Sequence, residues 1–378
     1  MGSASGTFET DSNGRRYFRP NPPVLPRLEE VQDALRTAEL SVYEFDRLLA
    51  DRPQEGSIGR LFARLDAVHS SGAEGSTTTF TDLMEFETSA RTAPDVEDAA
   101  AVAACAAALE MDENNDLSSA ALNIHRRLFE SARNRRLKET AGRPKSTFNA
   151  TADPDEPGGY FYYTRPDSVR SAMVEWQDFT MKSDPAVPEL VRQIASHWMF
   201  EHIHPVADGN GRIGRLLVPM TLKLKGATKS ACAFLGEAVY ENKQLYVEAL
   251  KGARISSDWT AWTRLMLDYI AATAKNNIDR FCKLAGLAEE WKNATARFRS
   301  DSQVHKLARF ALTNPVFTVN DVTTKIGGTF ASNNIAVGHL VDVGILTPAS
   351  DAKRDRIFHA DAVLLIFDRF KAEPTPAP

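Results

Sequence analysis

The segment from His204 to Arg215 reads His-Pro-Val-Ala-Asp-Gly-Asn-Gly-Arg-Ile-Gly-Arg and constrains the fold more than any other part of the chain. A helical pattern leads into it, and Pro205 ends that helix because proline removes a backbone donor and clashes with the preceding turn. Two glycines then permit a sharp loop, and a new helix is predicted to begin near Asn210. The segment therefore predicts two helices joined by a loop whose backbone can approach a ligand closely.

The same loop has the features of a site for a chain of phosphates. Its glycines allow backbone N–H groups to turn toward an anion, and the following helix adds free N–H donors and a positive dipole end. We expect a chain of phosphates to lie along this surface. The residues assigned to it are Gly209, Asn210, Gly211, Arg212, Ile213, Gly214 and Arg215.

Charged and titratable side chains complete this predicted site. Arg212 and Arg215 are three residues apart on one helical face, where they can contact successive phosphates. Asp208 is a hard oxygen ligand suited to Mg²⁺. His204 supplies a general base at the mouth of the site.

Two other interpretations remain open. The segment could be an ordinary glycine-rich loop between helices, with two surface arginines. A metal site could instead use His197, Glu201, His202 and His204, although the His-Glu-x-x-His order of a zinc helix is missing.

Apolar residues recur at helical spacing over most of the chain and predict a mainly α fold. Residues 1–26 are rich in Gly, Ser, Asn and Pro, so we expect a flexible lead-in. The other predicted regions are an N-terminal helical region over 27–117, a catalytic core over 118–272, a connecting helix over 273–300, a winged helix over 301–372 and a tail over 373–378.

Two β-prone runs, 146–150 and 160–164, flank a loop rich in Gly and Pro and predict a β-hairpin. Beyond residue 300, short helices followed by a second hairpin predict the winged helix. Its candidate recognition helix, 331–343, contains no Lys or Arg, and residues 301–378 hold eight basic and eight acidic residues. This balance argues against DNA as a partner.

The composition is that of a soluble globular protein, with 43% apolar and 25% charged residues and a net charge of -5. The absence of a signal-peptide pattern and of a long apolar run predicts a cytoplasmic protein without a membrane span. Three widely spaced cysteines, Cys105, Cys232 and Cys282, are expected to be buried thiols.

The loop resembles the signature of the Fic family, His-Pro-Phe-x-Asp/Glu-Gly-Asn-Gly/Lys-Arg-x-x-Arg, and Val206 in place of Phe is the one departure. The resemblance implies a Fic-type helical core with a β-hairpin flap, and transfer of AMP from ATP to a Ser, Thr or Tyr hydroxyl of a target protein. It implies that His204 takes the hydroxyl proton and that Asp208 holds Mg²⁺. Arg212 would then contact the β-phosphate and Arg215 the γ-phosphate.

In the family, the hairpin at 146–164 is a flap that aligns an extended target segment by strand addition. Asn242 and Tyr246 resemble residues near the adenine and ribose, although Tyr246 could equally belong to the core. The aromatic residues assigned to target docking on the flap are Tyr160, Phe161, Tyr162 and Tyr163.

A second motif, Ser70 to Gly75, resembles the family's inhibition motif Ser/Thr-x-x-x-Glu-Gly/Asn, at the end of a helix predicted over about 58–75. Ser70 and Glu74 are four residues apart and share a helical face. The resemblance implies that Glu74 pairs with Arg215, so that ATP binds with its α-phosphorus misaligned.

These observations favour an auto-inhibited protein adenylyltransferase, with self-modification and a homodimer as further possibilities. Two alternatives stay open. The same site could remove AMP from targets with the help of Glu74, or the chain could be a nucleotide-sensing regulator that binds DNA or protein.

Overall fold

The structure is a computed structural model that describes residues 5–50, 58–89, 96–109, 116–130, 134–349 and 356–368. The predicted mainly α fold is confirmed. The helices are α1 (Leu28–Ala50), α2 (Ile58–Gly72), α3 (Phe80–Ser89), α4 (Val96–Leu109), α5 (Leu117–Phe129), α6 (Arg135–Thr140), α7 (Val169–Met181), α8 (Glu189–Ile203), α9 (Asn210–Leu224), α10 (Gly236–Glu241), α11 (Lys243–Ser256), α12 (Trp259–Ala294), α13 (Gln303–Thr313), α14 (Val319–Ile326), α15 (Phe330–Asp342) and α16 (Asp361–Phe367). The strands are β1 (Gly6–Thr10), β2 (Arg16–Pro20), β3 (Ala150–Ala152), β4 (Tyr160–Tyr162), β5 (Val316–Thr318), β6 (Thr347–Pro348) and β7 (Ile357–His359).

The expectation of a flexible lead-in over residues 1–26 is wrong for its described part. Strands β1 and β2 form an antiparallel hairpin. Strand β2 also pairs with β4 of the predicted flap, so that the four strands form one sheet in the order β1-β2-β4-β3. Phe18 anchors the hairpin, because its ring is fully buried against Phe161 and Trp198. The polar composition of the segment concealed this apolar contact, which depends on residues distant in sequence.

Helix α8 lies at the centre of the molecule and is buried from Leu190 to Ile203. It packs against α9, α7 and α12, and the indole N–H of Trp198 donates to the Leu250 carbonyl at 3.0 Å. The expected boundary between residues 272 and 273 is also wrong, since it falls inside the continuous 36-residue helix α12. One helix therefore links the central bundle to the C-terminal part of the chain.

The C-terminal part follows the order helix, strand, helix, helix, strand, strand, with the sheet order β5-β7-β6. It packs on α2 and α3, since Phe367 contacts the rings of Phe62 and Phe80. The Asp368 carboxylate accepts the backbone N–H of Phe80 at 2.9 Å. The helix α16 that makes these contacts has no counterpart in the sequence prediction, and the winged helix stays a prediction.

The cysteines divide into two kinds. Cys105 and Cys232 are buried, whereas Cys282 is exposed on α12, contrary to expectation. Cys282 lies on the solvent-facing side of α12, and the apolar character of a cysteine does not indicate such exposure. Among the described residues, no helix combines the length and the apolar character that a membrane crossing requires.

Candidate active site

The loop between α8 and α9 takes its shape from two left-handed residues. Helix α8 ends at His204, which has φ 51°, and Gly209 has φ 81° immediately before α9. A left-handed conformation is unstrained for glycine and uncommon for other residues, among which histidine adopts it more often than most. The chain thus turns sharply and aims the first N–H groups of α9 at the surface of the loop.

Side-chain amides fasten this loop from within. Asn210 accepts the backbone N–H of Val206 at 3.0 Å and donates to the carbonyl of the same residue at 3.0 Å. Asn149, in the predicted flap, donates to the carbonyls of Val206 and Ala207, each at 3.1 Å. Since the side chain of Val206 is fully buried, this aliphatic residue fills the position beneath the loop. Asn210 therefore shapes the loop and leaves ligand contacts to the backbone around it.

His204 is held as a neutral imidazole. Its Nδ1 lies 3.1 Å from the Glu201 carbonyl, which can only accept, so Nδ1 carries the proton and Nε2 keeps a lone pair. Burial, reinforced by the nearby charge of Lys145, lowers the pKa of His204 to about 3. The ring stacks on Tyr163 with centroids 3.9 Å apart. The arrangement suits a general base that is already unprotonated at neutral pH.

Lys145 is a neighbour of this base that the sequence prediction missed. It is buried, and its ammonium group donates to the Ile203 carbonyl at 3.3 Å. Its backbone N–H donates to the Pro205 carbonyl at 2.9 Å, which ties the start of the predicted flap to the loop. Burial lowers the pKa of Lys145 to about 7. Nothing in the local sequence separates this lysine from a solvated one.

Arg215 is almost fully buried and is bound by the C-terminal end of α2. Its Nε donates to Ser70 Oγ at 2.9 Å, and Nη2 donates to the Ser70 carbonyl at 2.9 Å and to Glu74 Oε1 at 2.6 Å. Burial raises the pKa of Glu74, but the charge and hydrogen bond of Arg215 outweigh this effect and hold the pKa below its usual value. Glu74 is therefore ionised at neutral pH. The structure brings together the two residues whose pairing the resemblance implies.

Glu74 approaches the backbone of α9 closely at Gly211. A Cβ atom on Gly211 would lie 2.5 Å from Glu74 Oε1 and 2.9 Å from Arg215 Nη1. Gly214 lies one turn further along the helix, where a Cβ would lie 2.4 Å from Glu201 Oε1. Both glycines let carboxylates pack directly on the helix backbone. Ile213, between them, is fully buried, so only its backbone can contribute to the loop surface.

Arg212 is bound by two carboxylates. Its Nη1 donates to Asp98 Oδ2 of α4 at 2.9 Å, and Nη2 lies 3.7 Å from Asp208 Oδ1. Asp208 also accepts the Gly209 N–H at 2.6 Å, and its side chain is half exposed. Asp98 is a site residue that the sequence prediction missed, because nothing in the sequence indicates its proximity to a residue 114 positions away.

The alternative metal site finds no support within the residues that the structure describes, where no group of three His, Cys, Asp or Glu side chains could hold an ion. His197 Nε2 is hydrogen bonded to the Tyr246 hydroxyl at 2.8 Å, and His202 Nδ1 to the Trp198 carbonyl at 2.9 Å. Burial lowers the pKa of both histidines to about 3. They are packed neutral side chains.

Of the two residues predicted to contact the nucleoside, Asn242 is exposed and Tyr246 is buried. Tyr246 is buried behind α9 with its hydroxyl on His197. Asn242 is exposed between α10 and α11, and its amide donates to the Ala238 carbonyl at 3.3 Å. Asn242 is therefore available at the surface, whereas Tyr246 supports the site from beneath.

The predicted flap pairs β3 with β4 over 150–152 and 160–162. The first strand overlaps the expected run 146–150 only at residue 150, and the second is shorter than the expected run 160–164. Its four aromatic residues alternate: Tyr160 is exposed, Phe161 is buried, and Tyr163 stacks on His204. Tyr162 is partly buried and contacts the ring of Tyr17. The flap thus reaches the candidate base directly, through Tyr163.

Ion pairs fix the loop of the flap on α11. Lys251 contacts Asp153 and Asp155, each at 2.6 Å, while Arg254 contacts Asp153 at 3.2 Å and Glu156 at 2.5 Å. Arg254 also lies over the Phe161 ring, 4.0 Å from its centroid. The flap is consequently held in two places: α11 binds the loop between its strands, and the loop between α8 and α9 binds Asn149.

Comparison with known proteins relates the part of the chain that contains this loop to a known family. The Fic/DOC family pattern matches residues 116–222. A probable protein adenylyltransferase of Aquifex aeolicus (strain VF5) is 30% identical over 106 residues, which are 28% of this chain and 28% of that protein. The chain therefore matches little more than a quarter of that relative's length.

Solved structures share the fold. A Fic family protein from Desulfovibrio desulfuricans G20 is similar with a TM-score of 0.58 and 17% identity, over 90% of this chain and 98% of that one. Residues 134–508 of Fic-1 from C. elegans give a TM-score of 0.50 and 19% identity, over 66% of this chain and 72% of that one. At these identities the likeness concerns the fold alone. Residues 116–222 thus match the Fic/DOC family, within a chain that has the fold of solved Fic proteins.

Proposed function

We propose that the chain is a protein adenylyltransferase that transfers AMP from ATP to hydroxyl groups of target proteins and rests in an auto-inhibited state. The observation that carries this proposal is the neutral His204 beside the N-terminus of α9, where Glu74 binds Arg215 at 2.6 Å. The Fic/DOC match and the name of the Aquifex relative support it.

In the proposed reaction, the hydroxyl oxygen of a target attacks the α-phosphorus of ATP while His204 Nε2 takes its proton. The bond from the α-phosphorus to the bridging oxygen of the β-phosphate breaks, and pyrophosphate leaves. His204 can accept the proton because Nδ1–H is held by the Glu201 carbonyl. Positioning and charge neutralisation are expected to supply most of the rate.

The phosphates would lie on the first turn of α9. The first backbone N–H groups of the helix point toward its N-terminal end without an intrahelical acceptor, and Arg212 and Arg215 are three residues apart on one face. Asp208 fits Mg²⁺ as a single half-exposed carboxylate, because Mg²⁺ in nucleotide sites is usually bound by one or two carboxylates together with substrate phosphates. When bound, Mg²⁺ would neutralise phosphate charge.

Auto-inhibition would act through the contacts of Arg215. The guanidinium has one bond to Glu74 and two to Ser70, so a γ-phosphate must displace the carboxylate to reach it. ATP that binds without this contact would hold its α-phosphorus out of line with the attacking hydroxyl. Helix α2 is well packed against α4 and α10, so we expect Glu74 to leave by movement of its side chain and of the turn at Gly75, which has φ 104°.

The target would join the edge of the flap sheet. Strand β3 is at one end of the order β1-β2-β4-β3, and its three residues are exposed. An extended target segment can add to this edge by backbone hydrogen bonding. Tyr163 would connect the docked segment to the base, since its hydroxyl is hydrogen bonded to Thr151 Oγ1 of β3 at 2.8 Å and its ring stacks on His204.

The proposal is tested by incubating the wild-type protein and the Glu74→Gly and Glu74→Gly/His204→Ala variants with ATP, Mg²⁺ and cell lysate. We expect mass spectrometry to detect AMP-modified protein with Glu74→Gly, little with wild type and none with the double variant. Absence of any adduct from folded Glu74→Gly would refute AMP transfer. Equal adduct from wild type and Glu74→Gly would refute inhibition alone.

A further inference from the structure

We propose that Asp98 is a second inhibitory carboxylate, which competes with the phosphates of the nucleotide for Arg212. The inference rests on the proposed function of the loop as a nucleotide site. Arg212 and Arg215 are the two cations on the phosphate-facing turn of α9, and each is bound by a carboxylate from the N-terminal helices. The pair formed by Asp98 has the same form as the pair formed by Glu74.

The surroundings of Arg212 leave its guanidinium little freedom. Its side chain is 6% exposed, and the Phe129 ring lies 5.3 Å from the guanidinium carbon. Nη1 is bound to Asp98 at 2.9 Å and Nη2 lies 3.7 Å from Asp208, while Nε is buried without a hydrogen-bond partner among the described residues. A phosphate can therefore take the Nη1 N–H that Asp98 holds only if that carboxylate withdraws.

Asp98 is better placed to withdraw than Asp208. Asp208 is part of the loop, where it accepts the Gly209 N–H at 2.6 Å. Asp98 is in the first turn of α4, and 48% of its side chain is exposed. A half-exposed carboxylate can exchange an arginine for water at small cost, because exposed ion pairs contribute little stability. Asp98 therefore opposes phosphate binding weakly and reversibly.

The placement of α4 gives this contact a distinct role beside Glu74. Helix α4 packs along α2, so both carboxylates come from one helical layer facing α9. Glu74 blocks Arg215, and Asp98 blocks Arg212 three residues earlier. Removal of Glu74 alone would free one cation and leave the other partly occupied.

The competing role for Asp98 is to orient Arg212 for the phosphate, and the two roles predict opposite results. A competitor lowers nucleotide affinity, so its removal strengthens binding. A positioning residue raises affinity, so its removal weakens binding. The sign of the change in ATP dissociation constant therefore decides between them.

The test measures binding of MgATP and of inorganic pyrophosphate to wild-type, Asp98→Asn and Glu87→Gln proteins by calorimetry. Glu87→Gln is the matched control, since it also removes one negative charge from a carboxylate–arginine pair at 2.9 Å, that with Arg64. We expect Asp98→Asn to bind both ligands about two- to fivefold more tightly, because an ion pair with a half-exposed carboxylate contributes only a small free energy. The control should bind as wild type does.

Unchanged or weaker binding by folded Asp98→Asn would overturn the inference, as would equal strengthening in Glu87→Gln. The rate of AMP transfer by Glu74→Gly/Asp98→Asn at subsaturating ATP should exceed that of Glu74→Gly by the same factor. If neither variant transfers AMP while Asp98→Asn still strengthens binding, the proposed function fails and this inference stands. If transfer occurs but binding does not change, the inference alone fails.

Discussion

Glu74→Gln removes the negative charge that we propose is inhibitory, with almost no change in side-chain volume. Glu74 Oε1 lies 2.6 Å from Arg215 Nη2, and the side chains of Glu74 and Arg215 are 40% and 3% exposed. A hydrogen bond between charged groups contributes about 1.5–3 kcal/mol when it is sheltered from water. Because this carboxylate is two-fifths exposed, solvent screening reduces the figure to about 1–2 kcal/mol.

That free energy corresponds to a factor of about 5–30 in the balance between blocked and free Arg215. We expect the rate of AMP transfer by Glu74→Gln to rise by this factor, and the rate of Glu74→Gly to rise at least as much. Ser70→Ala should have a smaller effect, since it removes a neutral acceptor and leaves the backbone carbonyl of Ser70 bonded to Arg215.

The assay is initial-rate transfer of labelled AMP to a lysate or to the protein itself, with Glu87→Gln as the charge control. A rise in Glu74→Gly but not in Glu74→Gln would show that space, and not charge, governs the block. Rates equal to wild type in both variants would refute the electrostatic reasoning. A similar rise in Glu87→Gln would attribute the effect to net charge.

Further predictions concern pH and stability. The AMP-transfer rate of Glu74→Gly should not fall through protonation of His204 between pH 8 and 5, because burial lowers the pKa of this base to about 3; a pH–rate profile falling with a midpoint near 6.5 would refute this. Glu237→Ala should lower the free energy of unfolding by about 3–5 kcal/mol, since it leaves Arg280 buried and unpaired, whereas a change below about 1 kcal/mol in chemical denaturation would contradict it. Asp368→Ala should cost about 1–2 kcal/mol by loss of the N-terminal cap of α3, and an unchanged thermal midpoint would argue against that contact.

Local patterns in the sequence predict the helices around the candidate site well, because each signal is short in range. Pro205 and the glycines that follow it limit where α8 ends and α9 begins, and helical spacing of apolar residues marks α8 itself. Family resemblance supplied the pairing of Glu74 with Arg215, which no local rule contains.

The contacts that local patterns miss join distant parts of the chain. The burial of Phe18 depends on the flap and on α8, and Asp98 reaches Arg212 only once α4 is folded against α9. Lys145 resembles a solvated residue until the loop covers it. Such positions have ordinary neighbours in sequence, so their roles emerge only from tertiary packing.

The cap that Asp368 provides for α3 also has a consequence in time. It joins residues 288 positions apart, so the helix after the Glu74 turn emerges from the ribosome well before its capping residue exists. At about 5–20 residues per second, the interval is roughly 15–60 s. The nascent protein therefore passes through a period in which the segment bearing Glu74 is already synthesised but α3 still lacks the cap provided by Asp368.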